Sequence, residues 1–244
     1  MMKQTQLTIK ENKKIAANTF RLMLCGDCSA MRGAGQFINI LIPGKFLRRP
    51  LSVCDYTADS LCIIYKTVGE GTQILSRLQS GETIDALVGL GNGFDLTKNC
   101  SKPLLIGGGV GVPPLYKAAK DLIAAGKSVS VILGFNTSDE IFYTEEFEAL
   151  GCRVFLTTAD GSAGTKGFVS DVMDAIDYDY FYACGPKPMF EAIEKKAHTG
   201  GQYSFEERMG CGFGACMGCT CKTEHGNKRI CKEGPVLERE EILW

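Results

Sequence analysis

The chain has 244 residues, enough to bury a sizeable core and to form two modest domains. Its formal charge of −1 and isoelectric point near 6.2 exclude the basic field that nucleic acid or an anionic membrane surface would require. No apolar run reaches the roughly 18 residues needed to cross a bilayer, and the start, MMKQTQLTIKENKK, carries no apolar signal core, so a soluble cytoplasmic protein is expected. Twelve cysteines in a short secreted chain would mean a disulfide framework. Here seven are scattered through apolar segments and five crowd toward the C-terminus, which favours a metal site in a reducing compartment.

From Gln6 to about Asn99 short apolar runs follow closely: LTIK, TFRLMLCG, GQFINILIPG, RPLSVCDY, LCIIYKTV and ETIDALVG, separated by Gly, Asp, Ser and Pro. The spacing predicts an antiparallel β-barrel over 1–99, interrupted by a helical turn or two at GTQILSRLQSG, where Ile74, Leu75 and Leu78 share a face. Asn92, Gly93 and the polar stretch Thr97 to Lys102 mark a boundary.

From Lys102 apolar runs alternate with helical patterns, among them PLLIGGG, VPPLYKAAKDLIAAG, SVSVILGF, RVFLTTAD, FVSDVMDAI, YDYFYACGP and KPMFEAIEKKAH. Val169, Val172, Met173 and Ile176 follow an i, i+3, i+4, i+7 rule and predict a third helix with one apolar stripe. The whole reads as a doubly wound α/β parallel sheet over 100–203, of the nucleotide-binding kind. Beyond it, in 204–244, the secondary-structure signal fades and cysteine takes over. No internal repeat or low-complexity segment is present.

In MGCGFGACMGCTCK, Cys211-x4-Cys216-x2-Cys219 is followed after eleven residues by Cys231. A C-x4-C-x2-C run with a distal fourth cysteine is the plant-type [2Fe-2S] pattern. Glycines 210, 212, 214 and 218 let the backbone approach closely and aim N–H groups at the sulfurs. A zinc knot is the alternative, but it uses paired C-x2-4-C hooks, and one such hook is clear here. Cys221 is a fifth candidate that the spacing does not need.

LRRPLSV places Arg49, Pro50, Leu51 and Ser52 on a barrel strand. It resembles the R-x-[YF]-[ST] flavin signature of ferredoxin reductases, which implies an arginine on FAD phosphate and neighbours along the isoalloxazine. A guanidinium fork suits a pyrophosphate, although Arg-Pro also marks ordinary strand edges. In IIYKTVGEGTQIL, the Gly69, Gly71 and Thr72 turn opens a helix that can hold phosphate through backbone N–H groups; an ordinary capping turn is the plain reading. The resemblance puts this turn under the FAD pyrophosphate and Ile64, Tyr65 and Lys66 along the flavin.

LLIGGGVGVPPLYKAAK follows a strand and opens a helix with Pro113 and Pro114 in its first turn. It lacks the G-x-G-x-x-G fingerprint, yet Gly107, Gly108, Gly109 and Gly111 permit a tight turn and close phosphate approach. Cys184, Gly185 and Pro186 in YACGPKPMF end a further strand. Resemblance to ferredoxin reductases implies that they lie by the nicotinamide with Cys184 facing the reacting ring, whereas a buried cysteine there is otherwise packing. A 2′-phosphate would call for arginine near the strand ends, where GFNTSDE and TTADGSAGTKG carry Asp139, Glu140 and Asp160. That favours NAD over NADP, with Lys166 as the dissenting charge. Cys25-x2-Cys28, His198 and His225 carry no catalytic pattern, and hydride transfer between nicotinamide and flavin needs none.

Taken in order, RRPLS, YKTVGEGT, GNGF, GGGVGVPPL, TADGSAGTKGFV, CGPKPM and ERMGCGFGACMGC resemble the electron-transfer subunits of type B dihydroorotate dehydrogenases, within the ferredoxin reductase superfamily. The resemblance implies a chain without its own dihydroorotate site that pairs with an FMN-containing catalytic subunit, commonly as a two-plus-two heterotetramer. Electrons would pass from FMN through [2Fe-2S] and FAD to NAD, with Cys211, Cys216, Cys219 and Cys231 as ligands. The gap before the last cysteine varies in that family and is short here. Two alternatives stay open: a flavin and [2Fe-2S] subunit of an NAD(P)H ferredoxin oxidoreductase, and a zinc-stapled nucleotide-binding module.

Overall fold

A computed structural model describes residues 2–244. Six antiparallel strands, β1 (Lys3–Ala16), β2 (Thr19–Cys25), β3 (Phe37–Ile40), β4 (Arg49–Tyr56), β5 (Ser60–Lys66) and β6 (Thr83–Leu90), close into a barrel in the order β1-β2-β5-β4-β3-β6. Closure leaves no unpaired edge, and alternate residues such as Leu7, Ile9, Leu22, Leu24, Ile38, Ile40, Ile84 and Ala86 fill the interior. β1 runs well past the apolar LTIK. Its second half, ENKKIA, is polar on the solvated face and is interrupted by register shifts at Lys10, just before it, and at Ile15, so it shows no apolar alternation. Helix α1 (Glu70–Leu75) packs Leu75 into the barrel. The Asn12 side-chain amide donates to the carbonyls of Leu75 (2.8 Å) and Leu78 (3.0 Å), satisfying groups that the helix end leaves free.

The second unit winds through β7 (Pro103–Gly108), α2 (Pro113–Ala124), β8 (Ser130–Phe135), α3 (Thr144–Ala149), β9 (Arg153–Thr158), β10 (Thr165–Lys166), β11 (Tyr180–Cys184), α4 (Lys187–Glu194) and β12 (Gly201–Ser204). The sheet order is β10-β9-β8-β7-β11-β12, all parallel. The chain moves one way from β7 through β10 and the other way through β11 and β12. The switch point therefore falls between β7 and β11, where Cys184 pairs with Gly107. Open sheets of this kind take ligands beyond their strand C-termini at that point. The third helix differs from the expectation: Val169–Ala175 is a 3-10 helix. Its apolar positions Val169, Met173 and Ile176 are still buried. The segment is short, and the Asp171 carboxylate accepts the Phe168 N–H at 2.8 Å, holding a tight first turn.

The C-terminal segment folds back onto the rest. β13 (Thr220–Thr223) and β14 (Gly226–Arg229) form a hairpin, and β15 (Val236–Glu238) adds an antiparallel edge strand beside β12. These strands have three or four residues and little apolar content, which is why they leave no periodic signal. Asn92 ties them down, its side chain bonding the backbone of Glu233 and both the N–H and carbonyl of Val236. Gly91, at φ +75, sits so close that an added Cβ would lie 2.5 Å from Pro235 Cδ. Barrel and sheet share cores: Cys54, Cys62 and Ile64 pack with α2 and β8, while Phe37, Leu87 and Leu90 pack with Ile230, Cys231 and the opposite sheet face. No described helix is long and apolar enough to cross a membrane.

Candidate functional site

Along the barrel wall runs a cleft of about 320 Å³ lined by Arg49, Pro50, Leu51, Ser52, Ile64, Tyr65, Lys66 and Thr72. The two motifs meet through Arg49 and Gly71: a Cβ on Gly71 would lie 2.6 Å from Arg49 Nε. Arg49 Nη1 donates to the Leu47 carbonyl at 2.6 Å, and among the described residues no carboxylate pairs with the guanidinium. The fork thus has donors to spare, which is the chemistry a phosphate needs. Thr72 Oγ1 accepts from the N–H groups of Val68 (3.0 Å) and Gly69 (3.3 Å), fixing the turn beside it. Tyr65 is placed differently from its neighbours. Its ring turns into the barrel core, stacks on Phe20 and donates its hydroxyl to Asn12 Oδ1, so it is Ile64 and Lys66 that share the other strand face.

A second cleft of about 570 Å³ lies at the strand C-termini of the sheet, lined by Gly108, Gly109 and Val110 at the end of β7, Gly134 to Asn136 at the end of β8, Thr157 of β9, residues 167–170, and Pro186, Pro188 and Met189 after β11. Gly111 is required sterically, since a Cβ there would lie 2.1 Å from the Cys184 carbonyl oxygen; Gly107 is crowded by Val112 in the same way. The Cys184 side chain is buried rather than part of this lining. Loss of solvent, followed by the charge of Glu206, pushes its thiol well above the ordinary value, so it is neutral. A Cβ on Gly185, at φ +158, would lie 2.6 Å from Met189 Cε. Asp160 lies outside the lining, its carboxylate taken by the backbone N–H and hydroxyl of Ser162. Glu140 is in the lining, bonded to Lys66 and to the Asn136 amide.

The two clefts share Lys66, Val110 and Glu206. The cleft along the barrel wall is completed by Phe37, Phe205, Glu207, Met209 and Pro235, which sequence reasoning did not single out. Most of these come from the segment leading into the cysteines. A motif search finds residues clustered in sequence, and this wall combines the segment leaving the C-terminal end of β12 with β3 and the residue that leads into β15.

The cysteines form two pairs. Cys211 and Cys216 exchange backbone N–H to sulfur bonds at 3.4 Å each way, and Ala215 N–H also points at Cys211 Sγ at 3.2 Å. Cys231 N–H points at Cys219 Sγ at 3.4 Å, and both of these side chains are buried. Burial pushes the Cys211 thiol up, but the N–H groups of Phe213, Cys216 and Ala215 outweigh it and hold the thiol at about 6. Burial and the adjoining Cys219 sulfur push Cys231 to about 12. Among the described residues no three Cys, His, Asp or Glu side chains converge on one point. Two pairs of thiols with N–H groups aimed at sulfur fit two irons, each taking two thiolates, better than four ligands around one zinc. Cys221 stands apart, its thiol directed at the Lys222 carbonyl. Asn39 of β3 anchors the loop to the barrel, donating from Nδ2 to the Cys211 carbonyl at 3.0 Å.

Comparison with known proteins agrees with this geometry. The family model for the iron-sulfur cluster binding domain of dihydroorotate dehydrogenase B matches residues 206–243, and that for the oxidoreductase NAD-binding domain matches residues 105–195. The electron transfer subunit of dihydroorotate dehydrogenase B (NAD(+)) from Geobacillus sp. (strain WCH70) is 46% identical, and that from Bacillus caldolyticus 42%, each over 100% of both chains. Among solved structures, an NADH-dependent reduced ferredoxin-NADP oxidoreductase studied for flavin-based electron bifurcation superposes with a TM-score of 0.89 at 32% identity, covering 98% of this chain and 90% of that one. The chain belongs to the family of electron transfer subunits of NAD-dependent dihydroorotate dehydrogenase B.

Proposed function

We propose that this chain carries electrons from the FMN of a dihydroorotate dehydrogenase catalytic subunit, by way of [2Fe-2S] and FAD, to NAD+ in pyrimidine biosynthesis, working in the cytoplasm within a two-plus-two heterotetramer. The observation that carries the reading is the junction of the two clefts at Lys66, Val110 and Glu206, together with a flavin-side wall built from the segment that leads into the cysteines. When bound, FAD supplies the exchange between hydride chemistry and single-electron chemistry, and [2Fe-2S] supplies the single-electron step.

The protein's part is binding and orientation. Arg49 directs its unpaired donors at phosphate, and Gly71 lets phosphate approach. Ser52, Ile64 and Lys66 line the ring site, and the β7 and β11 turns, Gly107 to Gly111 and Cys184 to Pro186, position the dinucleotide against it. Glu140 fits a ribose hydroxyl better than a 2′-phosphate, in keeping with NAD. Cys211, Cys216, Cys219 and Cys231 act as thiolate ligands, and the N–H groups aimed at their sulfurs stabilise that charge.

The loaded single chain should oxidise NADH with artificial acceptors and should not oxidise dihydroorotate; dihydroorotate turnover by this chain alone would refute the division of labour. The ferredoxin-linked neighbour supports a second reading, a subunit that serves another iron-sulfur partner. Purification from the native source separates the two by whether an FMN-containing dihydroorotate-oxidising subunit accompanies the chain.

A further inference from the structure

Two cysteines outside the cluster face each other at the seam between barrel and sheet. In the β4–β5 pairing Val53 stands opposite Ile63 and Asp55 opposite Cys62, so Cys54 is the extra residue of a bulge. Both members of a bulge oppose a single partner residue, which brings Cys54 and Cys62 to the same face. Both side chains are buried in one core cluster, with the Tyr143 ring packed against it. The registered partner of Cys62 is Asp55, and Cys54 shares that position as its neighbour in the bulge; antiparallel partners have Cα atoms about 4.5–5.5 Å apart, the range a disulfide accepts.

The pair is asymmetric. The Tyr143 hydroxyl lies 3.7 Å from Cys62 Sγ, held there by edge-on contact of its ring with Tyr116. Arg21 lies two residues along β2 from Met23, which pairs with Cys62. The thiol of Cys54, the Tyr143 hydroxyl and Arg21 favour the Cys62 thiolate against the opposing effect of burial, whereas burial and the adjoining Cys62 sulfur drive the Cys54 thiol well up although Tyr143 favours its thiolate too. Cys62 keeps 5% of its surface in solvent and Cys54 keeps none. A small uncharged oxidant therefore meets the more nucleophilic sulfur first.

We propose that Cys62 and Cys54 form a modification site for hydrogen peroxide, in which Cys62 is the attacking thiolate and Cys54 the resolving thiol. The Cys62 sulfur bonds to one peroxide oxygen as the O–O bond breaks, and the departing hydroxide takes up a proton to become water. The Cys54 sulfur then bonds to the Cys62 sulfur, the S–O bond breaks, and that hydroxide leaves as water with the Cys54 proton. Two thiols are oxidised to one disulfide while one peroxide is reduced to two waters. The crosslink would pin β4 to β5 two residues from Ser52 and Ile64, both in the wall of the flavin-side cleft.

The test uses the full chain loaded with FAD and cluster, exposed to hydrogen peroxide, then unfolded, alkylated and digested with trypsin. Residues 49–66 emerge as one peptide whose only cysteines are these two. It should become two hydrogens lighter and refuse the alkylating label on the order of tenfold faster than Cys152, a buried thiol with no sulfur beside it, loses its own. In Cys54→Ala, dimedone should mark Cys62, and in Cys62→Ala, Cys54 should stay a free thiol. Labelling of Cys54 and Cys62 that persists as long as that of Cys152 in the unaltered chain would overturn the proposal, as would a dimedone adduct on Cys54. The measurement on the unaltered chain stands even if a variant folds poorly.

Discussion

The two cysteine pairs sit in opposite surroundings. Cys211 and Cys216 lie on an open loop where Gly212 and Gly214 take φ of +77 and +91 and Met217 takes +60. Cys219 and Cys231 are buried beside Ile230 in a core shared with the sheet. The contrast shows how one site meets two demands. Four N–H groups point at the sulfurs of the outer pair against one at the inner pair, because a backbone free to adopt left-handed turns wraps sulfur more closely, and such a backbone has few side chains to bury. Packing therefore fixes one pair and the glycine loop wraps the other, leaving Phe213 and Met217 exposed at the outer rim.

The largest effect expected from this contrast concerns the inner pair. Cys219→Ser should lose the cluster and also destabilise the metal-free chain by about 1–3 kcal/mol, because a hydroxyl replaces a buried thiol. Cys216→Ser should lose the cluster equally but leave the metal-free chain within about 0.5 kcal/mol. Iron content with denaturant unfolding of the metal-free proteins distinguishes them, and equal unfolding midpoints would erase the contrast. A smaller effect is expected at the anchor. Asn39→Ala removes the 3.0 Å bond to the Cys211 carbonyl and should cost about 1 kcal/mol, with iron retained and the paramagnetic spectrum of the reduced cluster shifted. An unchanged spectrum would mean that the barrel does not position the loop. The smallest is Cys221→Ser, which should leave iron content as it was; loss of iron there, with retention in Cys231→Ser, would reassign the fourth ligand.

Legibility in the sequence followed range. The six barrel strands stood out because each has an apolar face of period two, and the cysteine spacing stood out because three proposed ligands fall within nine residues. The second half of β1 did not, because Lys13 and Lys14 are exposed and Asn12 fills a polar role against α1 and Tyr65. The helix expected at Val169 kept its apolar stripe but tightened into 3-10 form, since stripe spacing does not register a carboxylate capping the turn. Tyr65 could have been placed from strand alternation, which sets it opposite to Ile64 and Lys66. Glu206, Met209 and Pro235 could not: the first two follow the four-residue strand β12, too short to leave a periodic signal, and Pro235 reaches the cleft only through the return of β15 to β12.

The most direct test of the central claim mixes the loaded Cys216→Ser chain with an FMN-containing dihydroorotate dehydrogenase catalytic subunit and follows both half-reactions. NADH-dependent bleaching of the flavin should proceed as in the unaltered chain, because the hydride step does not pass through the cysteine loop, while dihydroorotate-dependent reduction of NAD+ should fall to background. Dihydroorotate-dependent NAD+ reduction that persists without the cluster would contradict the account.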